Sequence, residues 1–314
     1  MKKLFFRVYD VLITLLREKL FREIQTLKIA LGQTTLVASK SSHQTYQRLS
    51  DASFRVFSQF GEDGILDFLC DTLKIIRPKV LELGAGNFNE CNSRALAEYR
   101  GAEVVAVDAR KDLISSIKKL DLYWKNHIFP LETWITPESI KGIQDFAHKS
   151  MGQIDILSID LDGNDYWVAQ AMDLTNIKII VVEYNPLFGH KKAISIKRND
   201  NFDRTKAHFS WDYFGASLRA YIHLFEKSGF CFVGTNLQCF NAFFIRLSEI
   251  DNLNFKVEKD LSKFINGGMR DGRNLDSRLS YKSYFERVRD IENLPVVDVV
   301  TEKEIFIGEN ILKT

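Results

Sequence analysis

The chain has 314 residues, and 43 Lys and Arg against 41 Asp and Glu leave a formal net charge of +2. This near-balance argues against a nucleic-acid binder held by bulk positive charge, because such domains carry a clear basic excess. Hydrophobic residues make up 45% of the chain and charged residues 27%, which is the composition of a globular protein and excludes a disordered one.

The N-terminal segment 1–32 is predicted to form one amphipathic helix. Its apolar residues recur at steps of three and four from Phe6 to Leu31. Seven basic and three acidic residues give the segment a net charge of +4, so the remainder of the chain carries −2. Three roles fit such a helix: packing on its own domain, joining copies into a homo-oligomer, or attachment to an anionic membrane face. The Ser-, Thr- and Gln-rich stretch 33–50 is expected to be a linker.

Two features point to a cytoplasmic location. The longest uncharged run near the N-terminus, 11–16, is too short for a signal peptide or a membrane span. The four cysteines form no C-x-x-C pair and are expected to be reduced, buried thiols. We therefore expect a cytoplasmic protein, with any peripheral membrane contact at the inner face.

From about residue 54 the pattern alternates between strands and helices. Short apolar strands are predicted at 79–83, 103–108, 127–131, 154–159 and 177–183, with a helix after each. Two last strands, at 230–235 and 240–247, are separated by four residues and should form an antiparallel hairpin. This predicts an α/β protein with a Rossmann-like class I methyltransferase fold: a seven-stranded, mostly parallel sheet with a terminal antiparallel hairpin, whose ligands lie at the carboxyl ends of the strands. The predicted division is an N-terminal helix and linker (1–50), a methyltransferase domain (51–250) and an accessory segment (251–314).

The first strand ends in a glycine-rich turn and the second in an acid. Glu82-Leu83-Gly84-Ala85-Gly86 lets the backbone approach a ligand closely, and Asp108 can accept hydrogen bonds from both ribose hydroxyls. A dinucleotide site prefers G-x-G-x-x-G, but its third position here is Asn89. The form E-L-G-A-G is typical of S-adenosylmethionine enzymes; a nicotinamide cofactor and a domain without cofactor stay as alternatives. The predicted cofactor residues are Glu82, Gly84, Ala85, Gly86, Asp108, Glu132, Thr133 and Asp160, with Glu132 and Thr133 placed near the adenine.

Acidic side chains follow the fourth and fifth strands. Asp160 and Asp162 come after one strand, and Glu183 and Asn185 end the next, so neighbouring strand ends should bring them together. Hard oxygen ligands of this kind suit Mg²⁺ or another divalent cation. Without a metal, the candidate catalytic bases are Asp160, Glu183, His190 and His208. Structural pairing or capping is the alternative role for the acids.

The segment 185–212 follows the fifth strand and can cover this site. It carries six Lys and Arg against three Asp, a net charge of +3. Such a lid suits a phosphorylated or otherwise anionic acceptor, while a merely solvated loop is the alternative.

Several motifs together resemble a known group. S-Q-x-G-E-D-G-I, E-L-G-A-G, S-I-D-x-D-G-N-D-Y-W-V, V-V-E-Y-N-P, Y-F-G-A-S-L and N-A-F-F-I-R resemble those of bacterial S-adenosylmethionine-dependent methyltransferases related to the FkbM family. The resemblance covers roughly residues 54–250 and implies that Gly84, Gly86 and Asp108 bind the cofactor. It also implies that Asp160, Asp162 and Glu183 lie where methyl transfer occurs. A more distant likeness to macrocin and catechol O-methyltransferases supports the metal interpretation.

The resemblance also implies a function. FkbM-related proteins are often associated with surface-polysaccharide or natural-product pathways. We therefore expect O-methylation of a hydroxyl on a sugar or sugar phosphate, free or nucleotide-linked, in surface glycan biosynthesis. The alternative is a non-catalytic, methyltransferase-like assembly or scaffold subunit that uses its N-terminal helix.

Overall fold

The computed structural model describes residues 2–42, 46–265 and 272–308, and of 2–8 and 42 it describes the backbone alone. The strands are, in chain order, β1 (Lys79–Leu83), β2 (Glu103–Asp108), β3 (Ile128–Glu132), β4 (Ile156–Ile159), β5 (Ile179–Glu183), β6 (Ile194–Ile196), β7 (Phe230–Thr235), β8 (Asn241–Arg246), β9 (Pro295–Asp298) and β10 (Lys303–Phe306). The helices are α1 (Lys2–Ser42), α2 (Glu62–Thr72), α3 (Arg94–Arg100), α4 (Leu113–Lys118), α5 (Leu122–Lys125), α6 (Ile140–Met151), α7 (Asp165–Ala171), α8 (Arg204–Ala207), α9 (Leu218–Lys227) and α10 (Tyr284–Ile291).

A seven-stranded sheet forms the centre of the fold. Its strand order is β3-β2-β1-β4-β5-β8-β7. The first five strands of the chain run parallel, whereas β8 is antiparallel to both β5 and β7. The predicted Rossmann-like class I methyltransferase fold, with its terminal antiparallel hairpin, is therefore confirmed.

Both faces of the sheet are buried, which explains the continuous apolar runs of its strands. Leu81 of β1 and Val105 of β2 pack with α6 and α9 residues in one core. Their neighbours Val80 and Val104 pack with α2 and α3 residues in a second core. Because successive side chains of a strand point to opposite faces, a single apolar strand supplies both cores.

The segment after β5 and the C-terminal segment form a second, smaller sheet. β6 pairs antiparallel with β9, and β9 pairs antiparallel with β10. Ile194, Ile196 and Val296 pack together in a small core of their own. The 185–212 segment is thus structured in part, and a strand that the sequence pattern did not predict ties it to residues beyond 250.

The N-terminal helix is longer than predicted. α1 runs to Ser42, so the expectation of a linker is wrong for residues 33–42. The helix persists because its later turns pack on the domain: a Cβ at Gly32 would lie 2.1 Å from the Tyr99 hydroxyl, and Leu36 is buried. Close packing of this kind outweighs the weak helix propensity of the Thr- and Ser-rich sequence.

The face of α1 that contacts the domain is not its apolar stripe. Gln25 accepts a hydrogen bond from the Arg94 guanidinium at 2.7 Å, and the Ile29 carbonyl accepts one from the Tyr99 hydroxyl at 3.1 Å. The stripe lies on another side of the helix and faces solvent; its members include Leu16, Leu20, Ile24, Leu27 and Leu31, all more than half exposed. Among the described residues, no helix is long and apolar enough to cross a membrane.

Candidate active site

A cavity of about 420 Å³ lies at the carboxyl ends of β1, β2, β4 and β5. This volume falls in the range of small-molecule sites, roughly 300–1,000 Å³. The cavity is lined by the glycine turn after β1, by Asp108, by the loop 160–164 and by Glu183. The strand-end location predicted for the ligand is where the structure has its largest described cavity.

Gly84 and Gly86 serve different purposes in the turn after β1. Gly84 has φ +90°, and an added Cβ would lie 1.7 Å from the carbonyl oxygen of Asp160. Only glycine fits there, because the ends of β1 and β4 approach each other so closely. Gly86 has φ +58° and open space where its Cβ would be, so the backbone at this position lies bare to whatever enters the cavity.

Two acids hold the turn in place. Asp108 Oδ2 accepts a hydrogen bond from the Gly86 N–H at 2.8 Å, and Asp108 Oδ1 accepts one from the Arg110 N–H at 2.9 Å. Glu82 is almost fully buried and accepts from the Asn92 N–H at 2.6 Å and from the N–H and hydroxyl of Ser93. Burial raises the pKa of Glu82, and these hydrogen bonds oppose the rise. Both acids line the cavity.

Three predicted cofactor residues do not line the cavity. Ala85 is buried in the core, with its N–H bonded to the Val107 carbonyl. Glu132 accepts from the Ile114 N–H at 3.0 Å and so fixes the start of α4. Thr133 pairs with Asp108 through the backbone. In this part of the chain the cavity wall is formed by Trp134 and Ile135 instead.

The predicted acid cluster is present. One carboxylate oxygen each from Asp160, Asp162 and Glu183 lies within 4.8 Å of the others. Asp165 builds the loop that carries two of them, because its carboxylate accepts from the Leu161 N–H at 2.6 Å and the Gly163 N–H at 2.8 Å. Burial raises the pKa of Asp165 to about 6. The cluster therefore sits on a loop that is fixed from within.

Three other predicted residues lie elsewhere. Asn185 is fully buried, and its amide donates to the carbonyls of Asp212 and Phe214, so it is no candidate metal ligand in this structure. His208 bonds to the Ser210 hydroxyl at 2.9 Å and does not line the cavity. His190 also lies outside the cavity, in the turn before β6. The chain fold carries both histidines away from the strand ends.

The segment 199–204 closes over the cavity as a lid. The Asn164 amide donates to the Asn199 carbonyl at 2.5 Å, and the Trp134 indole donates to the Asp200 carbonyl at 2.9 Å. The guanidinium of Arg204 pairs with Asp162 at 2.5 Å. A Cβ at Gly163 would lie 2.3 Å from the ring of Phe202, so glycine is needed for the lid to approach.

The cavity also contains residues that the sequence reasoning missed. Gln59, Asn92 and Asn241 all line it. Asn241 is the first residue of β8 and pairs in register with Glu183 of β5. The predicted hairpin carried this information, because a strand antiparallel to β5 must begin where β5 ends.

The cavity is strongly acidic. Among the described residues that line it, the acids are Glu82, Glu90, Asp108, Asp160, Asp162, Glu183 and Asp200, and the only basic residue is Arg110. A wall of one sign of charge in a concave, partly desolvated site favours a ligand of the opposite sign. The cavity therefore suits a cationic ligand and disfavours a pyrophosphate.

No family model and no curated protein matches the sequence. Two solved structures have weak similarity to it. One is a proposed sarcosine dimethylglycine methyltransferase from Galdieria sulphuraria, with 13% identity and a TM-score of 0.34, over 55% of this chain and 60% of that one. The other is a fibrillarin/Nop5p complex, with 14% identity and a TM-score of 0.31, over 63% of this chain and 88% of that one. The chain thus spans less than two thirds of the first structure, and at these TM-scores neither likeness bears on its function.

Proposed function

We propose that the protein is an S-adenosylmethionine-dependent methyltransferase. The observation that carries the proposal is the acidic cavity at the glycine turn, because S-adenosylmethionine has a sulfonium and an ammonium group, whereas a dinucleotide has an anionic pyrophosphate. The strand order and the position of Asp108 at the end of β2 support the same cofactor. Gly84, Gly86, Asp108 and Glu82 are the residues that would hold it.

The carboxylates after β4 and β5 have the chemistry that methyl transfer requires. When bound, S-adenosylmethionine supplies an electrophilic methyl group. Asp160 and Glu183 lie together in the same cavity and are placed to accept the proton of an attacking hydroxyl. The lid keeps water from the site and orients the acceptor, and orientation alone lowers the barrier of such a displacement substantially.

For the acceptor we propose a hydroxyl of a sugar or sugar phosphate, free or nucleotide-linked. A second cavity of about 390 Å³ adjoins the first and shares Trp134, Asp162 and Phe202 with it. Its aromatic residues suit the apolar face of a sugar ring, and Arg204 and Lys206 suit an anionic substituent. The motif resemblance to FkbM-related enzymes supports a role in surface glycan biosynthesis in the cytoplasm.

Calorimetry tests the cofactor directly. Purified full-length protein should bind S-adenosylmethionine with one-to-one stoichiometry and should not bind NAD⁺ under the same conditions. Absence of S-adenosylmethionine binding at millimolar concentration would refute the proposed function. Incubation with labelled cofactor and a panel of sugar phosphates and nucleotide sugars then tests the acceptor class by transfer of the label.

A second candidate function is a role in assembly, favoured by the solvent-exposed apolar stripe of α1. A second copy of the chain is the partner we propose, since pairing two such stripes would bury about 25 cal/mol of stabilisation for each Å² removed from water. Light scattering should show an oligomer that Leu20→Glu converts to a monomer, while Val37→Glu, an exposed position on another side of α1, should leave it intact. A wild-type monomer at all concentrations would exclude this role and leave contact with a membrane face as the prediction for the stripe.

A further inference from the structure

The amide of Asn241 is the most conspicuous buried polar group in the cavity. Asn241 is 4% exposed and lines the cavity. Its Nδ2 donates to Glu62 Oε1 at 2.8 Å, whereas its Oδ1 is buried without a hydrogen-bond partner among the described residues. A buried acceptor that is left unsatisfied costs about 1–3 kcal/mol, so a native structure rarely keeps one without a ligand to fill it.

Glu62 fixes which way this amide points. It is fully buried on α2, and its Oε1 accepts from the amides of both Asn236, at 2.6 Å, and Asn241. Its Oε2 accepts from the Phe60 N–H at 2.8 Å. An ionised carboxylate has no proton to donate, so Asn241 can only present its NH₂ group to Glu62. The oxygen is thereby turned away from α2 and toward the cavity.

The position of Asn241 places that oxygen beside the acid cluster. Asn241 lies opposite Glu183 in the β5–β8 register. Asp160, Asp162 and Glu183 bring three carboxylate oxygens to the same place, and Arg204 balances one of their charges. Three carboxylates and one guanidinium leave a local charge of about −2, which a divalent cation would match.

We propose that Asn241 supplies the amide oxygen of a divalent-cation site completed by Asp160, Asp162 and Glu183, and that Glu62 is its positioning residue. The donor set consists of oxygens without His or Cys, so the cation is one of the oxygen-preferring class, Mg²⁺, Mn²⁺ or Ca²⁺. Asn241 takes the place that the sequence had suggested for Asn185. The site goes beyond the proposed methyl transfer and can be tested without cofactor or acceptor.

Direct titration with Mn²⁺ tests the proposal. Free Mn²⁺ is measured by electron paramagnetic resonance in cofactor-free, full-length protein, after treatment with EDTA and exchange into metal-free buffer. The wild type should bind one Mn²⁺, and Asn241→Ala should weaken its affinity about 10-fold or more. Asn185→Ala is the matched control, since it removes the neighbouring amide that the structure places outside the cavity, and its affinity should equal that of the wild type.

Two substitutions at Glu62 separate orientation from folding. Glu62→Ala removes the acceptor and should weaken Mn²⁺ binding about 10-fold although every ligand is retained. Glu62→Gln keeps an oxygen for the two asparagine amides and should stay close to the wild type. Circular dichroism checks the fold of each variant, and the Glu62 pair carries the test if Asn241→Ala does not fold.

The proposal is overturned if the wild type binds no Mn²⁺ at millimolar concentration, or if Asn241→Ala or Glu62→Ala binds it as tightly as the wild type. Calorimetry with S-adenosylmethionine in the presence of EDTA is run in parallel. Cofactor binding without Mn²⁺ binding would refute the cation site alone, and Mn²⁺ binding without cofactor binding would refute the proposed function alone.

Discussion

Asp108 offers the sharpest test of the cofactor site, because a matched acid lies directly beside it. Both oxygens of Asp108 already accept backbone hydrogen bonds, from the N–H groups of Gly86 and Arg110. Asp108→Asn keeps the shape, but its NH₂ group must face one of these two donors. We expect the variant to fold with a loss of about 1–3 kcal/mol in the free energy of unfolding.

The cofactor should lose more than the fold does. A hydrogen bond from a ribose hydroxyl to a charged acceptor contributes about 1.5–3 kcal/mol. Its loss corresponds to a rise of roughly 10- to 150-fold in the Kd for S-adenosylmethionine. Calorimetry measures the Kd, and thermal unfolding with and without cofactor measures the same difference independently, since a ligand at 100 times its Kd stabilises the fold by about 2.7 kcal/mol.

Glu132→Gln is the control. Glu132 pairs with Asp108 in the β2–β3 register and accepts one backbone hydrogen bond, but it does not line the cavity. This variant should lose a similar amount of stability and bind the cofactor as the wild type does. If Asp108→Asn binds within about threefold of the wild type, or if Glu132→Gln is weakened equally, then Asp108 does not contact the cofactor and the assignment of the site is wrong.

Two further predictions concern the site's framework. Gly84→Ala places a Cβ 1.7 Å from the Asp160 carbonyl and should destabilise the fold by more than about 4 kcal/mol, whereas Gly86→Ala meets only open space and should cost about 1–2 kcal/mol for its left-handed backbone; urea unfolding compares them, and equal losses would contradict the steric argument. Burial raises the pKa of Asp165 from 3.8 to about 6, so the unfolded chain releases this proton first and the residue's contribution to stability falls by about 3 kcal/mol as the pH rises from about 4 to about 6. Asp165→Asn should lack that fall, and a constant difference between the two proteins across these pH values would refute the assignment.

The main sheet was predictable because its strands are buried on both faces. Such strands appear in the sequence as continuous apolar runs, and the helices between them have their own period. The small sheet left no such signal. β6 has three residues and β9 has four, and their partners lie far apart along the chain. Short strands of this kind are fixed by tertiary pairing rather than by any local pattern.

The site was predictable to the extent that strand direction determines it. Parallel strands share one carboxyl edge, so Asp160 and Glu183 were expected together and lie together. Asn185 was expected there too, but the chain turns after β5 and its amide is used to hold the segment at 212–214. Asn241 was available from the same logic, since an antiparallel strand begins at the edge where its parallel neighbours end.

The acids of the cavity divide into two groups that explain how one fold holds so many. Glu82 and Asp108 spend their oxygens on backbone N–H groups and thereby shape the glycine turn. Asp160, Asp162 and Glu183 instead converge with the amide oxygen of Asn241 on one point of the cavity. Like charges brought this close repel one another, so the arrangement is stable only with cationic partners, of which Arg204 is one. A near-neutral chain that concentrates negative charge at a single strand edge is therefore built to receive positive charge there, and both a sulfonium cofactor and a divalent cation meet that requirement.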